Sequence, residues 1–172
     1  ILAVTFTNKA ANEMRERVGG MVPKEMAKQL TISTFHALCM RLLKTGIERL
    51  GYKANFVIYT GSDQIGLIRQ IIVRKAGRDE KLDPGMVQSL ISRWKNKGIP
   101  VNANGDDLAA AVAQEYQRQL KLKNAVDFDD LLGLATQLLA ENPDIRAQWQ
   151  DRYHYLMVDE FQDTNRQQMD LL

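Results

Sequence analysis

Tyr155-Leu-Met-Val-Asp-Glu-Phe-Gln-Asp-Thr164 decides how this chain reads. Apolar residues run straight into two adjacent carboxylates, Asp159 and Glu160. That order predicts a buried parallel strand, from about His154 to Val158, delivering acids to the edge of a sheet. In open α/β sheets, ligands sit outside the carboxyl ends of the strands. Nucleotide hydrolases place one acid there for Mg²⁺ and the next for the attacking water. Adjacent acids are also common in the first turn of a helix. The apolar lead-in and the Gln162-Asp163-Thr164 that follows favour the strand-edge reading.

Two segments nearer the start have a related form. Ile1 to Phe6 predicts a strand, with Thr7 or Asn8 capping a helix whose stripe is Ala11, Met14 and Val18. Gly19-Gly20 is expected to stop that helix, and Pro23 to precede a short helical piece. Thr31-Ile-Ser33 predicts a brief strand. Ser33 or Thr34 then caps a longer helix, with Cys39, Leu43, Ile47 and Leu50 on one face and Gly51 at its end. In both cases a strand ends in hydroxyls and an aromatic residue and enters a helix N-terminus, which suits phosphate contact. Phe6 fits either stacking on a nucleobase or a place in the core. His36 reads either as a nucleic-acid contact or as a partly buried histidine.

The centre of the chain reads as all helix. Ser62 to Ala76 carries Ile65, Ile68, Ile72 and Ala76 on one face, and Asp83-Pro84 starts a helix with Val87, Leu90, Ile91 and Trp94 behind it. Leu108, Val112, Tyr116 and Leu120 form another stripe. Asp127 caps a helix bearing Leu131, Leu132, Ala135, Leu138 and Leu139, which Asn142-Pro143 breaks. A short helix then runs to about Tyr153. The expected architecture is an α/β sheet domain interrupted by a helical insertion. The loop from Lys97 to Asp106, with Gly98, Pro100 and Gly105, is the clearest break within that insertion. Arg93, Lys95, Lys97, Arg118, Lys121 and Lys123 flank the apolar stripes and read as a solvated face or as duplex contacts.

Bulk properties exclude little and agree with this. The 172 residues are 45% hydrophobic and 26% charged, ordinary for a globular protein. A net charge of +2 permits nucleic-acid binding without arguing for it. The single cysteine, Cys39, excludes an internal disulfide and fits a reducing cytoplasm. With His36, His154 and Cys39 as the only His and Cys residues, a zinc site is disfavoured. No apolar run has bilayer length and no secretory-type segment opens the chain. Because Ile1 already reads as core strand, and Asn165 to Leu172 as the opening of a helix, the chain is expected to be an internal piece of a longer protein.

Taken in order, these segments resemble the UvrD/Rep/PcrA group of superfamily 1 DNA helicases, with PcrA the nearest flavour. Ala3-Val-Thr-Phe-Thr-Asn-Lys-Ala-Ala11 with Glu13-Met-Arg15 resembles motif Ia. Ser33-Thr-Phe-His36 with Leu38, Arg41 and Leu42 resembles motif Ib. Val158-Asp-Glu-Phe-Gln-Asp-Thr-Asn165 resembles motif II, the Walker B element, and Val126-Asp-Phe-Asp-Asp-Leu131 matches a segment usual just upstream of it. The resemblance implies a partial RecA-like P-loop NTPase subdomain, 1A, over residues 1–33 and 154–172. An all-helical subdomain, 1B, would fill residues 34–153.

It also implies roles. Asp159 would serve Mg²⁺, Glu160 would activate water for attack on the γ-phosphate of ATP, and Gln162 would join them at the nucleotide. Gln162 and Asp163 would couple that site to DNA. Thr5, Phe6, Thr7 and Asn8, with Thr34, Phe35 and His36, would contact single-stranded DNA, and 1B would touch the duplex or the junction. The parent would be a cytoplasmic 3′–5′ helicase in DNA repair or replication, a monomer or weak dimer, with repair or replication proteins as further partners.

The same motifs occur in AddA- and RecB-type helicase-nucleases. A nucleic-acid-binding module without turnover is a second alternative, and an unrelated P-loop ATPase a third. No G-x-x-x-x-G-K-[ST] run occurs in these 172 residues. The chain by itself is therefore expected neither to bind ATP tightly nor to unwind DNA. Strand edges left open are weak points of a sheet, so amide exchange should be faster in residues 1–33 and 154–172 than in the insertion. The reverse order of protection would contradict that expectation.

Overall fold

The computed structural model describes residues 1–101 and 107–172. They form two compact units, Ile1–Leu50 with Leu134–Leu172, and Gly51–Gly133. These divisions differ from the expected bounds at residues 33/34 and 153/154, which followed motif positions. The helix after the second strand buries Phe35, Leu38, Cys39, Leu42 and Leu43 and packs on the strands of the first unit.

The first unit is built on strands β1 (Leu2–Thr5), β2 (Thr31–Thr34) and β5 (Leu156–Val158). They form a parallel sheet in the order β2-β1-β5. Helices α1 (Asn8–Met21) and α2 (Lys24–Gln29) connect β1 to β2, and α3 (Phe35–Leu43) leaves β2. The end of α7 (Phe128–Glu141), then α8 (Pro143–Arg152), leads back to β5, and α9 (Arg166–Leu171) follows. Every residue of β1 is buried, as expected of a central strand with neighbours on both sides.

β5 corrects the expectation of a buried strand. It is parallel, but Leu156 and Met157 are 40% and 58% exposed. Among the described residues it pairs on one side only, with β1, so burial falls to β1. Gly19-Gly20 does not stop α1. The helix runs to Met21 and closes with the Val22 N–H donating to the Val18 carbonyl at 3.1 Å. Pro23 ends it by holding Val22 in extended backbone (φ −124°, ψ 155°). The helix expected to reach Leu50 stops at Leu43. The Thr45 hydroxyl donates to the Leu42 carbonyl at 2.6 Å, and a Cβ on Gly46 would lie 2.5 Å from Ile145 Cδ1. Ile47 and Leu50 are buried as expected, but from a 3₁₀ turn, Ile47–Leu50.

The second unit contains β3 (Val57–Tyr59), α4 (Gly61–Ala76), α5 (Pro84–Lys97), α6 (Asp107–Leu122), β4 (Ala125–Asp127) and the start of α7. It is not all helix, because β3 and β4 pair in parallel with Val57 opposite Ala125. Three-residue strands are too short to show a two-residue period. Their register is set by Asn124, at φ 51°, whose side-chain oxygen accepts the Lys53 N–H at 2.7 Å. Thr60 and Asp63 form a capping box on α4, and Asp83 caps α5 ahead of Pro84. The α4 face is rotated from the expected one. Gln64, Leu67, Ile68, Ile71 and Ile72 are buried, while Ala76 is exposed. Leu67, Ile68, Ile71 and Ile72 pack with Val87, Leu90 and Ile91 of α5 and Val112, Tyr116 and Leu120 of α6. Gly98, at φ 65°, ends α5. The rest of the expected loop, residues 102–106 with Gly105, lies outside the described residues.

A buried ionic cluster ties these elements together. Lys95 Nζ lies 2.7 Å from Asp127 Oδ2 and 2.8 Å from Asp130 Oδ1, and its side chain is only 8% exposed. The Tyr116 hydroxyl donates to Asp127 Oδ2 at 2.9 Å. The Asp127 and Asp130 side chains each accept the other's backbone N–H. Burial raises the Asp130 carboxyl above the usual range, with Lys95 opposing the rise. Burial also pushes the Tyr52 hydroxyl up to about 12, helped by the charges of Asp130 and Asp127.

Lys95 is therefore not part of a free basic face, which corrects the duplex-contact reading for that residue. Arg118 pairs with Glu115 at 2.7 Å, and Lys121 Nζ sits 5.5 Å from the Tyr52 ring centre. Removing one member of a buried ion pair strands the other. Lys95→Ala is expected to cost about 3–5 kcal/mol of stability in denaturant titration, and a loss below about 1 kcal/mol would contradict the assignment.

Cys39 is fully buried on α3, and burial pushes its thiol up to about 12. It should stay unmodified by a thiol reagent at pH 8 until the chain is unfolded in urea. Full labelling of the native protein would be inconsistent with this packing.

Candidate functional site

Parallel pairing brings three strand ends to one edge. Thr5 stands opposite Thr34, and Val4 stands between Ser33 and Val158. The Asp159 N–H donates to the Val4 carbonyl at 2.9 Å, so the first acid is pinned by its backbone directly beside the end of β1. The Thr5 hydroxyl donates to Asp159 Oδ2 at 3.2 Å. Among the described residues, that is the one hydrogen bond given to this carboxylate.

Glu160 follows in left-handed backbone (φ 52°, ψ 46°). Non-glycine residues seldom adopt this conformation, and where they do the surroundings must enforce it. Here the Asp163 N–H donates to the Glu160 carbonyl at 2.8 Å, closing a 3₁₀ turn over Phe161–Asp163. The Thr164 hydroxyl donates to the Phe161 carbonyl. Gln162 Nε2 donates to Glu160 Oε2, so these two side chains meet at the exposed edge.

The residues expected on nucleic acid divide by burial. Phe6 is half-buried, Thr7 and Asn8 are exposed, and His36 is half-buried. Thr5, Thr34 and Phe35 are buried, Thr5 to 2% and Phe35 to 1% exposure. Thr7 and Thr34 serve as helix caps, their hydroxyls accepting the N–H groups of Ala10 at 3.1 Å and Ala37 at 3.3 Å. Each cap satisfies one of the donors that a helix N-terminus leaves open. The Phe35 ring lies beneath Phe6, with centroids 5.5 Å apart and planes tilted by 52°. This is a favoured aromatic geometry, and it leaves Phe6 as the aromatic with an accessible surface.

Sequence reasoning missed the roles of Thr5 and Arg15. Arg15 reaches from α1 to the Ile32 carbonyl at 3.4 Å and to Asn12 at 2.7 Å, bracing the helix against β2. A periodicity argument cannot see the Thr5–Asp159 and Arg15–Ile32 contacts, because each crosses between elements.

The donor chemistry at this edge fits Mg²⁺. That cation prefers hard oxygen ligands and is bound through one or two carboxylates, with water and substrate phosphates completing its shell. Asp159 offers one such carboxylate. Among the described residues, no group of three or more His, Cys, Asp and Glu side chains could hold a metal by itself. A cleft of about 350 Å³ elsewhere in the same unit is lined by Leu2, Leu38, Trp149, Tyr153 and Leu172 among others. It takes in the starting ends of β1 and β5 and none of the residues above, so it is a separate feature. Glycine accepts left-handed backbone without strain. Left-handed backbone costs a non-glycine residue about 1–2 kcal/mol, and glycine gives back about 0.5–1 kcal/mol in chain entropy, so Glu160→Gly is expected to stabilise the fold by up to about 1 kcal/mol, read as a higher unfolding midpoint; a clearly lower midpoint would contradict this backbone assignment.

Comparison with known proteins shows the family. A family model described as the UvrD/REP helicase N-terminal domain matches residues 1–172. The ATP-dependent DNA helicase Rep of Escherichia coli K12 is 40% identical across 100% of this chain and 26% of its own length. The ATP-dependent DNA helicase UvrD1 of Mycobacterium tuberculosis H37Rv is 42% identical across 98% of the chain and 23% of its own length. The ATP-dependent DNA helicase PcrA of Staphylococcus aureus NCTC 8325 is 37% identical across 100% of the chain and 24% of its own length. The chain thus spans about a quarter of the length of these relatives. Among the described residues, no helix is long and apolar enough to cross a membrane.

Proposed function

The chain belongs to the UvrD/REP helicase N-terminal domain family, and from that premise we propose that it is part of an ATP-dependent DNA helicase. In this reading the first unit is the beginning and return of subdomain 1A, with RecA-like topology, and the second unit is the bulk of 1B. The observation that carries it is the common edge where Asp159 meets Thr5, one residue from Phe6. Acid chemistry and an accessible aromatic ring lie on adjacent strand ends.

The chemistry assigned to each residue follows from its position. Asp159 would hold Mg²⁺, which when bound with ATP neutralises charge on the phosphates. Glu160, next in sequence to Asp159 and held at the exposed edge with Gln162, takes a proton from the attacking water. Gln162 steadies the Glu160 carboxylate and, with Asp163, couples this turn to the DNA side. Phe6 stacks on a base of single-stranded DNA, backed by Phe35. Thr7, Asn8 and His36 face the strand, while Thr34 caps α3 from behind. The whole protein would move 3′ to 5′ and open duplex at a single-strand/double-strand junction.

Glu160→Gln in the full-length protein should abolish ATP turnover while nucleotide still binds, as followed with a fluorescent ATP analogue. Turnover near wild type would remove Glu160 from the mechanism. Phe6→Ala should weaken single-stranded DNA binding by about 1–3 kcal/mol in fluorescence anisotropy. Unchanged affinity would take Phe6 off the strand.

A further inference from the structure

We infer that Thr5 is a positioning residue for Asp159 and not a DNA contact. Its hydroxyl holds one carboxylate oxygen and so presents the other to the metal. The inference rests on the reading of Asp159 as the Mg²⁺ ligand.

Four observations carry it. Thr5 is 2% exposed, so a nucleic-acid strand does not reach it in this fold. Its hydroxyl donates to Asp159 Oδ2 at 3.2 Å, and among the described residues no other group hydrogen-bonds that carboxylate. Both partners are anchored by backbone: Thr5 lies in the central strand opposite Thr34, and Asp159 donates its N–H to Val4 at 2.9 Å. Finally, threonine is β-branched, so its χ1 is stiff and the hydroxyl direction is set before any ligand arrives. The bond is long for O–H···O, but hydrogen bonds of this kind often tighten once the site is loaded. Carboxylates that bind metals are commonly oriented by such outer partners, whose loss weakens metal binding without removing a ligand.

The placement also has a consequence for coupling. Phe6 is covalently next to Thr5, so a shift of the β1 end on base stacking would be felt first at the Asp159 carboxylate.

The test uses the full-length protein as wild type, Thr5→Val, Thr5→Ser and Asp159→Asn. Mn²⁺ stands in for Mg²⁺, and its affinity in the ADP complex is read by electron paramagnetic resonance. Affinity for single-stranded DNA without nucleotide is read by anisotropy. Thr5→Val should weaken Mn²⁺ binding about tenfold, with Thr5→Ser restoring most of it, and DNA affinity should match wild type in both. Weaker DNA binding by Thr5→Val with unchanged Mn²⁺ affinity would overturn the inference, as would Thr5→Ser being as impaired as Thr5→Val. If Thr5→Val fails to fold by thermal melting, Thr5→Ala carries the same comparison. Asp159→Asn separates the two levels of the argument. Wild-type Mn²⁺ affinity in that variant would overturn the Mg²⁺ reading itself, whereas a weak Asp159→Asn beside a normal Thr5→Val would overturn only the role of Thr5.

Discussion

The register of the β2-β1-β5 sheet is the constraint on which the rest of the first unit depends. A slip of one residue in a strand turns every side chain to the other face. With Val4 opposite Ser33 and Val158, the ends of β1 and β2 finish level, and Asp159 falls beside Thr5. The buried run Leu2-Ala-Val-Thr5 holds that register by packing. The polar edge is the product of an apolar strand, and any change that loosens β1 should be felt at Asp159 before it is felt in overall stability.

The second unit is held differently. Its helices share an apolar core, but the join between α5, α6 and the β4–α7 corner is ionic. A buried lysine between two buried aspartates is costly to desolvate and tolerable only when each partner is hydrogen-bonded. Tyr116 and the reciprocal backbone bonds of Asp127 and Asp130 meet that requirement. Such a cluster contributes specificity of arrangement more than net stability. It gives the Val126-Asp-Phe-Asp-Asp-Leu131 segment a physical reason that needs no ligand.

Much of this was legible in the residues. The strand before Asp159, the caps Thr7, Thr34 and Asp83, and the stripes of α5 and α6 all follow from short-range rules. What stayed hidden lies in contacts between elements. Nothing local distinguishes Lys95 from the exposed Arg93 and Lys97, since only its partner across the unit buries it. Val57–Tyr59 and Ala125–Asp127 become strands because they find each other, over a separation that periodicity does not sense. The close approach that Gly46 allows is to Ile145, about a hundred residues further on. At the candidate site, residue identities singled out the strand ends, but the division into buried residues (Thr5, Thr34, Phe35) and more accessible ones (Phe6, Thr7, Asn8, His36) required the packing.

The central claim is that one sheet edge serves both nucleotide and DNA, so the two ligands must sense each other. Coupling between two sites is a free energy, and in binding it is reciprocal. The most direct measurement is the steady-state ATP turnover of the full-length wild-type protein, titrated with single-stranded DNA. The account predicts that turnover rises by about tenfold or more and saturates, consistent with a coupling of about 1–3 kcal/mol. Turnover that is measurable yet indifferent to DNA at every concentration would contradict it.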